Sequence, residues 1–261
     1  MPESNGSKDR YGLPISTSST AAADNLVEGV DLLLEQNFGP EQSFQQAVEA
    51  DEGFALAFAG LVYVYMAGGK VAEARKAAQQ AQSLAAGTTR REQQQIEALA
   101  LWANGKGPES LAVIQQHIAE FPRDMLMVRV AQRLYIMGCS SVGAGVDNYP
   151  EALFALMKGV APEYGDDWAF QGQYAFAHHE NGLLDEALKL AERSLAQRPT
   201  NAVAPRLLGW SPFRATRSKR RMISSRRFGS LYQSSSRSST CGWRVVIPPG
   251  VSLMAGRLRW K

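Results

Sequence analysis

The amino-acid sequence predicts an all-α protein in which antiparallel helix pairs stack into a solenoid. Apolar residues recur at helical spacing, so that each predicted helix has one apolar stripe. One such stripe contains Leu184, Ala187, Leu188, Ala191 and Leu195. Glycine and proline interrupt the stripes, as expected for turns between short helices. Because one helix pair cannot bury its apolar stripe alone, the repetition predicts a stack of pairs.

Five predicted pairs occupy residues 18–204, after a polar arm formed by residues 1–17. We expect the arm to be extended and docked against the first pair, and we expect no β-sheet in residues 18–204. The ends of the pairs fall at Glu52, Ala86, Pro122, Pro162 and Pro199. Their separations are 34, 36, 40 and 37 residues, so the period is loosened by insertions, mainly in residues 139–148. Five pairs are enough to stack into a superhelix.

Start and turn signals support the elements in order. Ser18, Ser19 and Thr20 are candidate N-caps of the first helix. Thr88 and Thr89 are candidate N-caps of the fifth helix, and Pro40 suits the first turn of the second. Three turns inside pairs use residues that tolerate a left-handed backbone. They are Gly68-Gly69, Asn104-Gly105 and Asn181-Gly182.

Arg90, Arg91 and Glu92 begin the fifth predicted helix. Basic side chains at a helix N-terminus oppose the helix dipole, so a compensating partner is expected. We expect these residues to pair with acidic side chains of the neighbouring repeat. Binding of an acidic partner molecule is the alternative.

Composition favours a soluble, cytoplasmic protein. The chain has 261 residues, of which 45% are apolar, and this is enough for a sizeable core. The polar start predicts no signal peptide, and no apolar run is long enough to span a bilayer. Cys139 and Cys241 offer no disulfide framework, which suits a reducing compartment.

Charge is distributed unevenly along the chain. Residues 205–261 contain 13 Lys and Arg residues and no acidic residue, whereas residues 1–204 contain 15 basic and 25 acidic residues. Helical periodicity also stops near residue 204. Residues 205–261 are therefore either a disordered basic tail able to bind nucleic acid or anionic lipid, or a translation in the wrong reading frame. In the second case the solenoid is truncated at its C-terminal end, and we expect it to expose Leu188, Leu195 and Trp168.

The last predicted pair carries a known repeat pattern. Gly182, Glu186-Ala187, Leu195 and Pro199 follow the spacing of a 34-residue unit. By these residues the pair resembles a tetratricopeptide repeat, although Gln171 and Tyr174 replace the usual Trp and Leu of its first helix. The resemblance implies a tetratricopeptide-like superhelix.

Four further segments follow a pattern found in one group of such proteins. They are Asp9, Gly12 and residues 16–18 in the arm, TRRE at residues 89–92, FPRD at residues 121–124, and YAFAHHE at residues 174–180. With these segments the chain resembles the tetratricopeptide repeat protein 38 family over residues 9–204, and not beyond. The resemblance implies a helical repeat protein with no established activity to carry over. It also implies that further helix pairs of the family are missing on the C-terminal side.

The function we predict is that of a protein–protein interaction scaffold, not an enzyme. Its concave groove is expected to hold a peptide or a partner helix, without a cofactor, a metal ion or membrane insertion. Nucleic acid is expected to bind only through the basic tail, with a steep salt dependence. The sequence gives no indication of oligomeric state. The candidate groove residues, taken from the first helices of the pairs, are Tyr63, Arg129, Arg133, Gln173 and His178.

An enzyme is the alternative, with His178, His179 and Glu180 supplying metal or acid–base chemistry in the groove. Adjacent helical residues point about 100° apart, so the two histidines cannot easily share one ion. A hydrolytic helix would place its histidines at i and i+4. We therefore expect one histidine to pack and the other to meet solvent.

Overall fold

The computed structural model describes residues 7–138, 143 and 145–203. They contain ten α-helices and two short 3₁₀ helices, and the only β-type pairing among them is an isolated bridge between Lys8 and Pro14. The helices are α1 Thr20–Glu35, α2 Pro40–Ala50, α3 Ala55–Ala67, α4 Val71–Leu84, α5 Arg90–Ala103, α6 Gly107–Glu120, α7 Met125–Ile136, α8 Tyr149–Val160, α9 Trp168–Glu180 and α10 Leu184–Gln197. The 3₁₀ helices are Ala85–Gly87 and Ala161–Glu163.

Successive helices form five antiparallel pairs, α1 with α2 through to α9 with α10. Each pair packs against the next, and α3 also contacts α1 and α5, so the first helices of the first three pairs lie side by side, while α7 touches α1 and α9. The described residues thus form an all-α solenoid of antiparallel helix pairs, as predicted, whereas the truncation predicted at its C-terminal end lies outside them. We call the surface lined by α1, α3, α5, α7 and α9 the groove.

The start and turn signals act as predicted. Ser19 caps α1, since its Oγ accepts a hydrogen bond from the backbone N–H of Ala22 at 3.2 Å. Thr89 and Glu92 form a reciprocal capping box at the start of α5. Pro40 lies in the first turn of α2. Each of the three turns predicted inside pairs contains a glycine with positive φ, namely Gly69, Gly105 and Gly182.

Phe44 of α2 holds the first two pairs together. Its side chain is fully buried between Gly29 of α1 and Gly60 of α3. A Cβ atom added at Gly29 would lie 2.6 Å from the Phe44 ring, and one at Gly60 would lie 2.7 Å away. These separations are shorter than van der Waals contact, so both glycines are needed for the helices to close around the ring.

The first helix also meets the last pair. Arg198 Nε donates to Glu35 Oε1 at 2.5 Å, and the backbone N–H of Ala202 donates to the Glu35 carbonyl at 2.9 Å. Gln173 Nε2 of α9 donates to the Leu34 carbonyl at 3.3 Å. The repeat pattern did not predict this contact, because a repeat specifies only the packing of each helix pair against the adjacent pair.

The structure corrects the expectation that Trp168 is exposed. Its exposed fraction is 8%, because two guanidinium groups lie over its ring. Arg10 Cζ is 4.8 Å from the ring centroid and Arg198 Cζ is 5.4 Å from it. Leu188 and Leu195 are half-buried.

Several predictions fall outside the described residues. The basic tail, both cysteines and part of the loop at residues 139–148 belong to this group. Within the described part of the chain, no helix has the length and apolar character needed to cross a membrane.

Candidate functional site

Residues 7–15, which we call the arm loop, fold back on themselves. The Asp9 Oδ1 atom accepts hydrogen bonds from the backbone N–H groups of Tyr11 and Leu13, both at 2.9 Å. Gly12 has a φ of +78°, which closes the turn. The bridge between Lys8 and Pro14 joins the two ends. The arm is therefore a turn here and not the extended segment we expected, because one carboxylate satisfies two backbone donors.

The arm loop binds α1 and α9 through Arg10. Arg10 Nη1 is 2.8 Å from Asp31 Oδ1 of α1, and Nη2 pairs with the carboxylate of Asp167, the N-cap of α9. The guanidinium also lies over the Trp168 ring. We call Asp31, Asp167 and Trp168 the arginine pocket. It joins the first and last pairs, because its three side chains come from α1 and from the start of α9.

On its other side the arm contacts α5. Asp9 Oδ2 is 2.6 Å from Arg91 Nη2, and Arg91 Nη1 donates to the Pro14 carbonyl at 3.2 Å. Beyond the arm loop, the backbone N–H and the hydroxyl of Ser16 donate to the Glu92 carboxylate at 2.7 and 2.5 Å. The arm thus reaches past the first pair, where it was predicted to dock, to the third.

Asp124, the N-cap of α7, is the centre of a buried polar cluster. Its Oδ2 atom is 2.6 Å from Arg91 Nε and 3.0 Å from His117 Nε2, and Gln95 Nε2 donates to it. We call these four residues the Asp124 cluster. Burial raises the pKa of a carboxyl, but Arg91 and His117 outweigh burial and hold the pKa of Asp124 well below its usual range. The cluster therefore holds a charged carboxylate behind the arm.

The pairing predicted for the start of α5 is confirmed for Arg91, but Arg90 finds its acidic partner Glu120 on α6 of its own pair and not on the neighbouring repeat. Arg91 binds Asp124 of the fourth pair, and the pair is buried. Arg90 Nε is 2.9 Å from Glu120 Oε2, and both side chains are largely solvent-exposed. The buried pair is the one expected to matter for stability, because exposed ion pairs contribute little.

The low pKa of Asp124 predicts a fold that loses stability in acid. The unfolded carboxyl has a pKa of about 4, so below that pH the unfolded state binds a proton that the folded state does not. The stabilisation is complete above about pH 4 and is lost as the pH falls through the lower folded pKa. In urea titrations from about pH 6 to about pH 2, we expect the free energy of unfolding to fall more steeply for the wild type than for Asp124→Asn.

Asp9 cannot cause this loss of stability in acid. Burial raises the pKa of Asp9 although Arg91 opposes the change, so its contribution to stability is present at low pH and lost as the pH rises. Equal slopes for wild type and Asp124→Asn would therefore contradict an ionised Asp124 in the folded state.

The five candidate groove residues lie on α3, α7 and α9, and most are buried. Tyr63, Arg129, Gln173 and His178 are between 1% and 8% exposed, and Arg133 is half-buried. Tyr63 packs against the Trp102 ring at 5.8 Å. Arg129 Nη1 donates to Gln132 at 2.7 Å. A contact role for these residues stays a prediction, since a partner meets only the exposed part of a surface.

His178 and His179 have different neighbours. His178 Nδ1 is 2.9 Å from the Tyr174 carbonyl oxygen, and its ring packs on that of Phe154 at 5.0 Å. His179 Nδ1 is 3.2 Å from Glu180 Oε1, and Glu180 also accepts from the Tyr149 hydroxyl. Across the described residues, no group of three or more His, Cys, Asp or Glu side chains has a geometry that could hold a metal ion.

An open cavity of about 490 Å³ lies beside the arginine pocket. One wall is the arm, and the other is a face of α1 on which Asp24, Glu28 and Asp31 lie on successive turns. Arg198 also lines the cavity. The cavity leaves the edge of the arginine pocket open to solvent.

Sequence reasoning missed the arm as part of a site. A short polar segment has no periodicity, so nothing in it predicts a partner. The segments that carry the family resemblance were the available signal. Three of them meet in the structure, since Asp9 pairs with Arg91, Ser16 binds Glu92, and Arg91 pairs with Asp124.

Comparisons with known proteins add little to this geometry. No protein-family model matches the chain. Among solved structures, the chain is similar to YrrB, described as a TPR protein with an unusual peptide-binding site. The two share 13% sequence identity over 72% of this chain and 90% of that chain, with a TM-score of 0.36. The fold assignment therefore rests on the helices themselves.

Proposed function

We propose that this protein is an interaction scaffold that binds a short peptide segment in its groove, at the place the arm loop now occupies. The observation that carries the proposal is the arm itself. It is a short polar segment, and it is held by side chains from α1, α5 and the N-cap of α9. Binding one segment through several repeats is how helical repeat proteins use their concave surface.

The contacts of the arm loop are of the kind that select a particular peptide sequence. Asp9 and Arg10 are consecutive, and their side chains are only 15% and 17% exposed. Each is paired with an opposite charge, Asp9 with Arg91 of α5 and Arg10 with Asp31 of α1 and Asp167. Half-buried charge pairs favour the matching sequence and penalise a wrong one, because a mismatch leaves a desolvated charge unpaired.

The bound segment favours a peptide turn over a partner helix. The arm loop reverses direction within residues 7–15, and a helix could not place consecutive side chains on α1 and α5 in the same way. The proposal also includes three expectations from the sequence. They are membership of the tetratricopeptide repeat protein 38 family, a cytoplasmic location, and a lining role for the five candidate groove residues. The meeting of three family-like segments at the arm supports the family.

Selection of peptides tests the proposal on the full chain. A random peptide library displayed on phage is panned against the protein, and enriched peptides are synthesised. A peptide that takes the place of the arm loop should speed hydrogen–deuterium exchange at Tyr11, Leu13 and Ile15, whose N–H groups are bonded within the arm. A scrambled peptide of the same composition is the control. Failure to enrich any peptide, or binding that leaves exchange in the arm unchanged, would contradict the proposal.

A further inference from the structure

We propose that the arginine pocket is a specificity site for an arginine of the partner, and that Arg10 fills it as an internal competitor. This inference rests on the proposed peptide-binding function and names the chemistry of the peptide. The partner would present a turn in which an acidic residue, an arginine and an aromatic residue follow one another, as Asp9, Arg10 and Tyr11 do in the arm loop.

The pocket has the geometry that arginine fits and lysine does not. Two different nitrogens of one guanidinium reach two carboxylates, Asp31 and Asp167, which belong to different helices. The Cζ atom of the same group lies over the Trp168 ring, 4.8 Å from its centroid. A lysine ammonium has neither separated nitrogens to reach two carboxylates on different helices nor a planar face to lie over the ring.

Charge complementarity also requires a cation in this pocket. With Arg10 in place, the side chains of Asp31 and Asp167 are 23% and 15% exposed, and without a cation these two neighbouring carboxylates would repel each other. Asp24 and Glu28 continue the acidic face of α1 along the open cavity, which Lys8 and Arg198 also line. Such a site favours a basic side chain over a neutral one.

The neighbours of the arginine are also recognised. Asp9, the preceding residue, binds Arg91 of α5 at 2.6 Å. Tyr11, the following residue, lies edge-on to Tyr164 with ring centroids 5.8 Å apart, and its hydroxyl donates to Asp167 at 3.3 Å. A peptide with the same three residue types would therefore satisfy groups on α1, α5 and α9 together.

The arm competes with the partner because it is part of the same chain. A segment tethered by a short linker has a millimolar effective concentration, so a free peptide binds weakly while Arg10 is in the pocket. The cavity of about 490 Å³ between the arm and α1 gives a competing peptide access to the pocket edge. Release of the arm is thus expected to control binding.

The test uses the full chain and a fluorescein-labelled synthetic peptide with the sequence of residues 7–19, followed by fluorescence anisotropy. Arg10→Ala in the chain vacates the pocket, so we expect this variant to bind the peptide at least about tenfold more tightly than the wild type does. Replacing the arginine of the peptide with lysine should weaken binding to the variant at least about tenfold.

Second substitutions in the Arg10→Ala chain locate the binding. Asp31→Asn should weaken peptide binding at least about tenfold, whereas Asp185→Asn, a matched change at an exposed position of α10, should leave it unchanged. Circular dichroism checks that each variant is folded. If Arg10→Ala does not fold, Arg10→Lys keeps a positive charge beside Asp31 and should still bind the peptide more tightly than the wild type.

Three results would overturn the inference. The first is a peptide that binds Arg10→Ala no more tightly than the wild type, and the second is equal binding of the arginine and lysine peptides. Peptides selected from the library that still displace the arm would then leave the proposed function intact. The third is a wild-type dimer in sedimentation that Arg10→Ala makes monomeric, because the occupant would then be the arm of a second copy.

Discussion

Replacing Asp124 with alanine is expected to lower the free energy of unfolding by about 3–5 kcal/mol. The carboxylate is 1% exposed and pairs with Arg91, which is itself 5% exposed. Removing it leaves a buried guanidinium without its main counter-charge and takes a partner from Gln95 and His117. Urea unfolding followed by circular dichroism measures the loss.

Two variants separate the causes. Asp124→Asn keeps a side chain suited to the N-cap of α7 but removes the charge, so it should recover only part of the stability. Asp24→Ala removes an exposed carboxylate from α1 and should change the free energy of unfolding by less than about 0.5 kcal/mol. Similar effects of Asp124→Ala and Asp24→Ala would mean that the Asp124 cluster does not stabilise the fold.

Phe44→Ala is expected to lower the free energy of unfolding by about 3–5 kcal/mol. The ring is completely buried, and the backbones of α1 and α3 close on it at Gly29 and Gly60. Because helix backbones on both sides are fixed by their own pairs, the space left by the ring cannot collapse easily, and a cavity remains. The same urea titration measures the effect.

Phe38→Ala is the matched control for Phe44→Ala. Phe38 lies in the turn between α1 and α2, and its side chain is 88% exposed. The same chemical change there should alter the free energy of unfolding by less than about 0.5 kcal/mol. If both substitutions lower the free energy of unfolding equally, Phe44 does not hold the first two pairs together.

The helices were predictable because their signals are local. Ser19, Thr89 and Pro40 act within one turn of the helix they start. The positive φ of Gly182 likewise reverses the chain between α9 and α10 locally. The stripe of α10 marks the side on which Ala187 and Ala191 are buried, although Leu184 at its start is exposed. All of this follows from the period of the helix and from the caps.

The candidate site depends on pairings that no local signal carries. Arg10 and Asp167 are 157 positions apart in the sequence, and neither has an unusual neighbour. The prediction that Arg91 would find an acidic partner was possible because its charge opposes the helix dipole. Asp9 gave no such signal, since an aspartate near glycine and proline is ordinary in a loop.

The meeting of α1 with the last pair changes how this solenoid is expected to unfold. In an open repeat array each unit touches only its neighbours, so the ends fray first and stability is a sum of nearest-neighbour terms. Here Glu35 and Arg198 are bonded across 163 positions, and the arm joins the same two ends through Arg10. Fraying of α10 then breaks contacts of α1 as well, which makes unfolding more nearly all-or-none. The same long-range contacts raise the contact order, so the chain must close a large loop before its ends gain their interactions, and folding is slower than in an open array of equal length.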